Sequence, residues 1–336
     1  MDSIDSRGSR TRGHRGRLED AWSAPLLRPR WARWMPLMLV PALWIGTRGG
    51  ARQEAPPSMP LPEAPQVVGT ELPLHVNARV EKWLRRFATT QRAEFQTLLE
   101  REGIYSGMIR GKLRARGMPE ELLYMAMMES GLSPWARSSA SAVGLWQFMS
   151  PTAVQYGLRV DAWVDERRDP VRATDAALDY LQALYRRYGS WYLAAAAYNA
   201  GPSRVSRALI RHAHGRTGDE ELYWDVIDYL PRETREYVPR LVAATLLATD
   251  AEARGFRVQP TDPYRYDVVW VPGGTPLWRI ARALDVPPSL LRGLNPQLIR
   301  GVTPPGETYG VRVPVGRSPQ VVAALGRHAA RWRSVD

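Results

Sequence analysis

Apolar residues recur three and four positions apart from Asn77 onward, the spacing of one helix face. Val80, Trp83, Leu84 and Phe87 form the first stripe, with Asn77 placed to cap it. Phe95, Leu98 and Leu99 repeat it up to Gly103, and Met108, Ile109 and Leu113 predict a shorter element beyond. Pro119 suits a first helical turn, where its missing N–H costs nothing. Leu122 to Met128 is then apolar nearly all round, which predicts a buried helix ending at Gly131. Asp169-Pro170 starts another helix, with Ala177, Leu181, Leu184 and Tyr188 on its buried face and Gly189 closing it. Ser190 caps the next, which runs into Ala197-Tyr198-Asn199-Ala200-Gly201. A last long helix is expected from Glu233 to Arg254, burying Tyr237, Leu241, Ala244 and Ala248 and ended by Gly255.

The pattern changes after Pro260. Val268 to Val271 and Thr308 to Pro314 read as strands. Thr275 to Leu284 and Pro288 to Leu294 read as helices between them. The fold class is therefore mainly α, a helical domain over 77–258 followed by a small βααβ module over 263–316 and an amphipathic basic tail over 317–336. Ahead of the helical domain lie a polar, arginine-rich leader (1–33), an apolar run (34–46) and a proline-rich linker (47–76) that stays extended. The apolar run is shorter than the ~20 residues of a spanning helix. Its basic front fits a signal peptide or a short signal anchor. Export is the expectation, to the periplasm or cell envelope, with inner-membrane attachment through this segment as one form of it.

The 336 residues contain no cysteine, which excludes disulfides, thiolate metal sites and a lipidated cysteine. The formal charge of +12 is almost all arginine and suits an anionic polymer such as cell wall or nucleic acid. No helix carries a concentrated basic stripe and no aromatic–basic motif appears, so nucleic acid is not the expected partner.

Candidate chemistry sits at the end of the buried helix. Glu129 closes an apolar segment, where desolvation and the helix C-terminus both disfavour its charged form. A carboxylic acid kept protonated near neutral pH is what a general acid requires. The loop beyond it offers neutral polar groups (Ser130, Ser133, Ser138, Ser139, Ser141, Gln147), a glycine at Gly144 and the flat faces of Trp146 and Phe148. That mixture fits a neutral, hydroxyl-rich ligand such as a sugar. Asn199 before Gly201, read alone, is a helix-end residue.

Glu129-Ser130 with Pro134, then Ser138, Gly144-Leu145-Trp146-Gln147-Phe148-Met149 and Thr152-Ala153, resembles the first half of the soluble-lytic-transglycosylase and goose-type-lysozyme family. Ala197-Tyr198-Asn199-Ala200-Gly201 and Leu230-Pro231-Arg232-Glu233-Thr234-Arg235-Glu236-Tyr237-Val238 resemble its second and third blocks. Tyr156 to Asp161 and Asp165-Glu166-Arg167-Arg168-Asp169-Pro170 are most similar to the D-type membrane-bound branch. Ser141 departs from the pattern, since relatives usually carry Gly there. Gly274-Thr275-Pro276-Leu277-Trp278 and Leu294-Asn295-Pro296 resemble a LysM module, a fold that binds N-acetylglucosamine-containing glycans.

The resemblance implies a lysozyme-like helical domain acting on peptidoglycan glycan strands, without metal or cofactor. It implies Glu129 as the catalytic acid and then base. Substrate-binding roles fall to Ser130, Ser138, Gly144, Trp146, Gln147, Met149, Thr152, Tyr198, Asn199, Glu233 and Tyr237, with Tyr198 orienting the acid and Asn199 meeting an acetamido group. Cleavage between N-acetylmuramic acid and N-acetylglucosamine would leave a 1,6-anhydro end. Two alternatives stand beside it. One is a hydrolytic muramidase using a second carboxylate among Asp161, Asp165, Glu166, Asp169 and Glu233. The other is a wall-binding scaffold without turnover.

Overall fold

The computed structural model describes residues 71–259, 261–326 and 331–333. The leader, the apolar run and nearly all of the proline-rich linker lie outside the described residues. Nine α-helices precede the C-terminal module in this described part. Helix α1 (Ala78–Ala88) is capped as its sequence requires, with Asn77 Oδ1 accepting from Arg79 N at 3.0 Å and Val80 N at 3.1 Å.

Helix α2 (Arg92–Ala115) is one continuous helix of 24 residues, where the glycine spacing predicts two elements. Gly103 lies inside it because Thr261 packs against that face, and a Cβ there would fall 2.2 Å from Thr261 Oγ1. Tertiary contact overrides the glycine's low helix propensity. After a 3₁₀ turn at Glu120–Leu122 comes α3 (Leu123–Ser130), with every side chain buried. Gly131 ends it at φ 62°, donating its N–H to Met127 O.

Helix α4 (Ser150–Gln155) follows a long loop. Asp169 caps α5 (Pro170–Tyr188), and Gly189 closes it at φ 61°. Ser190 caps α6 (Trp191–Ala200), again buried on all sides. Two further helices, α7 (Pro202–His212) and α8 (Glu221–Val226), lead to α9 (Arg232–Thr249). Helix α9 stops at Thr249, short of the expected Arg254. The two wholly buried helices, α3 and α6, are apolar all round because they form the centre of the domain, and α9 packs on both.

The C-terminal module is built from β1 (Asp267–Val271), α10 (Leu277–Leu284), α11 (Pro288–Leu294), β2 (Tyr309–Val313), α12 (Ser318–Leu325) and β3 (Arg331–Arg333). Its sheet has the order β2-β1-β3, and both neighbours run antiparallel to β1. Val269 and Val271 face the core while Trp270 between them is exposed. The basic tail is thus partly structural. Val321 of α12 is fully buried in this module's core, and β3 adds a strand to the βααβ unit.

The module is not suspended from a linker. Val164 belongs to its core, while Tyr264 and Leu294 join the core of the helical domain. Arg312 on β2 makes a buried ion pair with Asp169, its Nη2 donating to both carboxylate oxygens at 2.8 Å. Asp169 is also the N-cap of α5, so one carboxylate serves both parts.

Candidate active site

Glu129 projects from the last turn of α3 and is 6 % exposed. The Tyr237 hydroxyl on α9 donates to its Oε1 at 2.8 Å. Burial pushes the Glu129 carboxyl up to about 7. The Tyr237 hydrogen bond and the Arg240 cation pull it down against that rise, and the Glu233 charge adds slightly to it. Glu233, Tyr237 and Arg240 stand at i, i+4 and i+7 on α9, one face of the helix. Arg240 Nη2 also donates to the Met128 carbonyl at 3.3 Å, next to the acid on the chain. Burial lowers the Arg240 pKa from its ordinary value.

The C-terminal end of α6 supplies Tyr198 and Asn199. Tyr198 donates to the Trp146 carbonyl at 2.8 Å, so the hydroxyl that holds the acid is that of Tyr237 and not, as expected, that of Tyr198. Asn199 Oδ1 accepts from Thr234 Oγ1 at 2.8 Å, and its Nδ2 donates to Glu233 Oε1 at 3.5 Å. Burial raises the pKa of Glu233.

The loop 131–149 is pinned from within. Ser130 Oγ lies 2.7 Å from the Leu145 carbonyl, and Ser138 Oγ accepts from Ala142 N at 3.0 Å. Gln147 sits at φ 49°, with Nε2 donating to the Gly144 carbonyl at 2.9 Å. Its Oε1 is buried and accepts no hydrogen bond from the protein. Gly144 has φ +86°, and a Cβ there would fall 1.7 Å from the Arg167 carbonyl oxygen, so the position admits only glycine.

Trp146 corrects the sequence reading. Its ring is fully buried and donates Nε1–H to Thr174 Oγ1 at 3.0 Å, so it supports the loop and offers no face to a sugar. Ser138, Met149, Thr152 and Glu233 keep partial exposure.

The other acidic residues proposed as second carboxylates are engaged elsewhere. Asp165 pairs with Arg167, Asp169 with Arg312, Glu166 with Arg172 and with the Arg159 N–H, and Asp161 with Arg159 and two backbone N–H groups. Arg240, Thr234 and Arg167 are the participants that the sequence reading does not single out. Arg240 is discoverable from its helical spacing to Tyr237. Thr234 and Arg167 lie inside quoted motifs without a stated role.

Residues 108–219 match the Transglycosylase SLT domain family, and residues 265–330 match the family described as Lytic transglycosylase MltD, LysM-like domain. The Membrane-bound lytic murein transglycosylase D of Escherichia coli (strain K12) is 34% identical over 202 residues, 59% of this chain and 43% of that protein. The Soluble lytic murein transglycosylase of the same organism is 28% identical over 145 residues, 41% of this chain and 22% of that protein. The chain therefore spans less than half the length of these relatives. The solved structure of the 70 kDa soluble lytic transglycosylase of Escherichia coli aligns with a TM-score of 0.34 at 27% identity, over 43% of this chain and 23% of that one. Both matched regions thus point to lytic-transglycosylase families in the same order along the chain, and the chain is similar in sequence to the lytic murein transglycosylases.

Proposed function

We propose that the chain is an exported peptidoglycan lytic transglycosylase. The observation that carries this reading is the buried Glu129 carboxyl, poised near neutral pH and held by Tyr237. Glu129 donates its proton to the glycosidic oxygen between N-acetylmuramic acid and N-acetylglucosamine, and the C1–O bond breaks. The substrate's acetamido oxygen stabilises the cationic centre. The ionised Glu129 then takes the proton from the C6 hydroxyl as that oxygen bonds to C1. Proton and charge balance without water, and the product ends in a 1,6-anhydro ring. Arg240 stabilises the carboxylate in the interval between the two transfers. Ser138, Gln147, Met149, Thr152, Asn199 and Glu233 line the groove that takes the glycan.

The LysM-like domain contributes a second glycan surface. Exposed Trp278, with Pro276, Arg279, Arg282 and Ala283, lines a shallow open groove suited to stacking against a sugar ring. The apolar segment 34–46 directs export and attaches the enzyme to the inner membrane.

One observation favours a second reading. Glu233 is the carboxylate whose charge reaches Glu129, and it could serve a hydrolytic enzyme as base. Mass spectrometry of muropeptides released from purified sacculi separates the two. Anhydro-ended fragments, lost in Glu129→Gln, are the expected result. Fragments one water heavier would establish hydrolysis and overturn the transglycosylase assignment.

A further inference from the structure

Besides Tyr198 and Thr174, which hold it at Trp146, the loop that follows Glu129 is held at two further carbonyls by one arginine. Arg167 Nη1 donates to the carbonyls of Ser141 at 3.2 Å and Phe148 at 3.3 Å, near the two ends of the Gly144 turn. Its own carbonyl oxygen fills the space beside Gly144. The guanidinium is fixed in turn by a bidentate pair with Asp165, Nε to Oδ1 and Nη2 to Oδ2 both at 2.8 Å. Arg167 and Asp165 are both buried.

The far side of this segment is covered by the C-terminal domain. Asp165 N donates to the Gln297 carbonyl at 2.9 Å, Ile299 N donates to the Trp163 carbonyl at 3.2 Å, and Val164 pairs with Leu298 in a β-bridge. Arg300 adds a bond to the Ala162 carbonyl at 2.8 Å, and Glu307 pairs with Arg159 at 2.6 Å. Four residues after Asp165, the Arg312–Asp169 pair fixes the start of α5. The segment 159–169 is thus a layer, with the loop of the acid on one side and the C-terminal domain on the other.

We propose that the LysM-like domain is a structural buttress of the active site and that Arg167 is the positioning residue through which it acts. This rests on Glu129 being the catalytic acid. A domain that only captured glycan would need no continuous set of contacts running to the catalytic loop. Arg167 touches neither substrate nor acid. It sets where the loop carrying Ser138 and Gln147 stands.

The test uses the full chain in four forms besides wild type: Arg167→Met, the double variant Asp165→Asn/Arg167→Met, Arg312→Met, and Asp169→Asn/Arg312→Met. The doubles remove both charges of a pair, so no buried carboxylate is left alone, and the amide that replaces the Asp169 carboxylate keeps an acceptor for the α5 cap. Turnover on sacculi is measured with amide exchange of residues 138–149 and of α9. The expected result in both doubles is a fall in kcat of tenfold or more, with loop exchange accelerated at least tenfold and α9 protection unchanged. Sacculus pelleting stays at the wild-type level. General destabilisation would instead accelerate α9 as well, and that pattern overturns the proposal. So does a kcat within twofold of wild type in Asp169→Asn/Arg312→Met. A wild-type protein that releases no anhydro product overturns the Glu129 reading itself, a result distinct from either.

Discussion

At the scale of single residues, the site is one carboxyl and the groups that set its charge. Glu129 titrates near 7 in the folded chain against an ordinary 4.5, so the folded state binds the proton more tightly than the unfolded state. The sign follows. The penalty for ionising it is absent below pH 4.5 and grows as pH rises through 7, reaching on the order of 3 kcal/mol above that. Glu129→Gln should therefore match wild type in denaturant stability at pH 4 and exceed it at pH 8 by about that amount. In the proposed mechanism the first step needs protonated Glu129, so the same titration should give an alkaline limb, with kcat declining as pH passes 7. Tyr237→Phe removes a hydrogen bond that favours the carboxylate, so the limb should move to higher pH by about one unit in a pH–rate profile. The burial of Glu129 is legible in the sequence because it closes a helix that is apolar nearly all round. Which tyrosine holds it is not, since Tyr198 and Tyr237 are both buried and only the crossing of α9 over α3 selects between them.

Among the elements, the helices with explicit stop and start residues are the most predictable. Asp169, Ser190 and Asn77 cap the helices their sequence assigns to them, and Gly131 and Gly189 take the left-handed conformation at the helix ends. Asn77→Ala should cost about 1 kcal/mol in urea denaturation, the ordinary value of a cap. Gly144→Ala should cost more than about 2 kcal/mol by the same measurement, because it combines positive φ with a clash against the Arg167 carbonyl that only backbone movement relieves. Where prediction fails, the cause is long-range. Gly103 reads as a break, yet Thr261, far along the chain, fills the notch it leaves. The helix α12 reads as part of an amphipathic basic tail because its one fully buried apolar side chain, Val321, is too sparse a signal to reveal the surface it meets.

For the whole molecule, the two parts share cores, a buried ion pair and a backbone bridge, so they should unfold together. Calorimetry on the full chain should give one transition with equal calorimetric and van't Hoff enthalpies. Two separated transitions would mean that these contacts do not couple the parts. The domain order is legible from the change of periodicity at Pro260, whereas the coupling is not, because Arg312 and Asp169 lie 143 positions apart and neither belongs to an interaction motif. That coupling also fixes a length. Trp278 on α10 and Glu129 at the end of α3 are joined through these shared contacts, so on the proposed function a strand held at the first would be presented to the second at a constant offset. An enzyme of the proposed kind would work as a caliper, and its cut fragments should fall on a ladder of preferred sizes set by the protein, where a domain on a loose tether would leave a continuous spread.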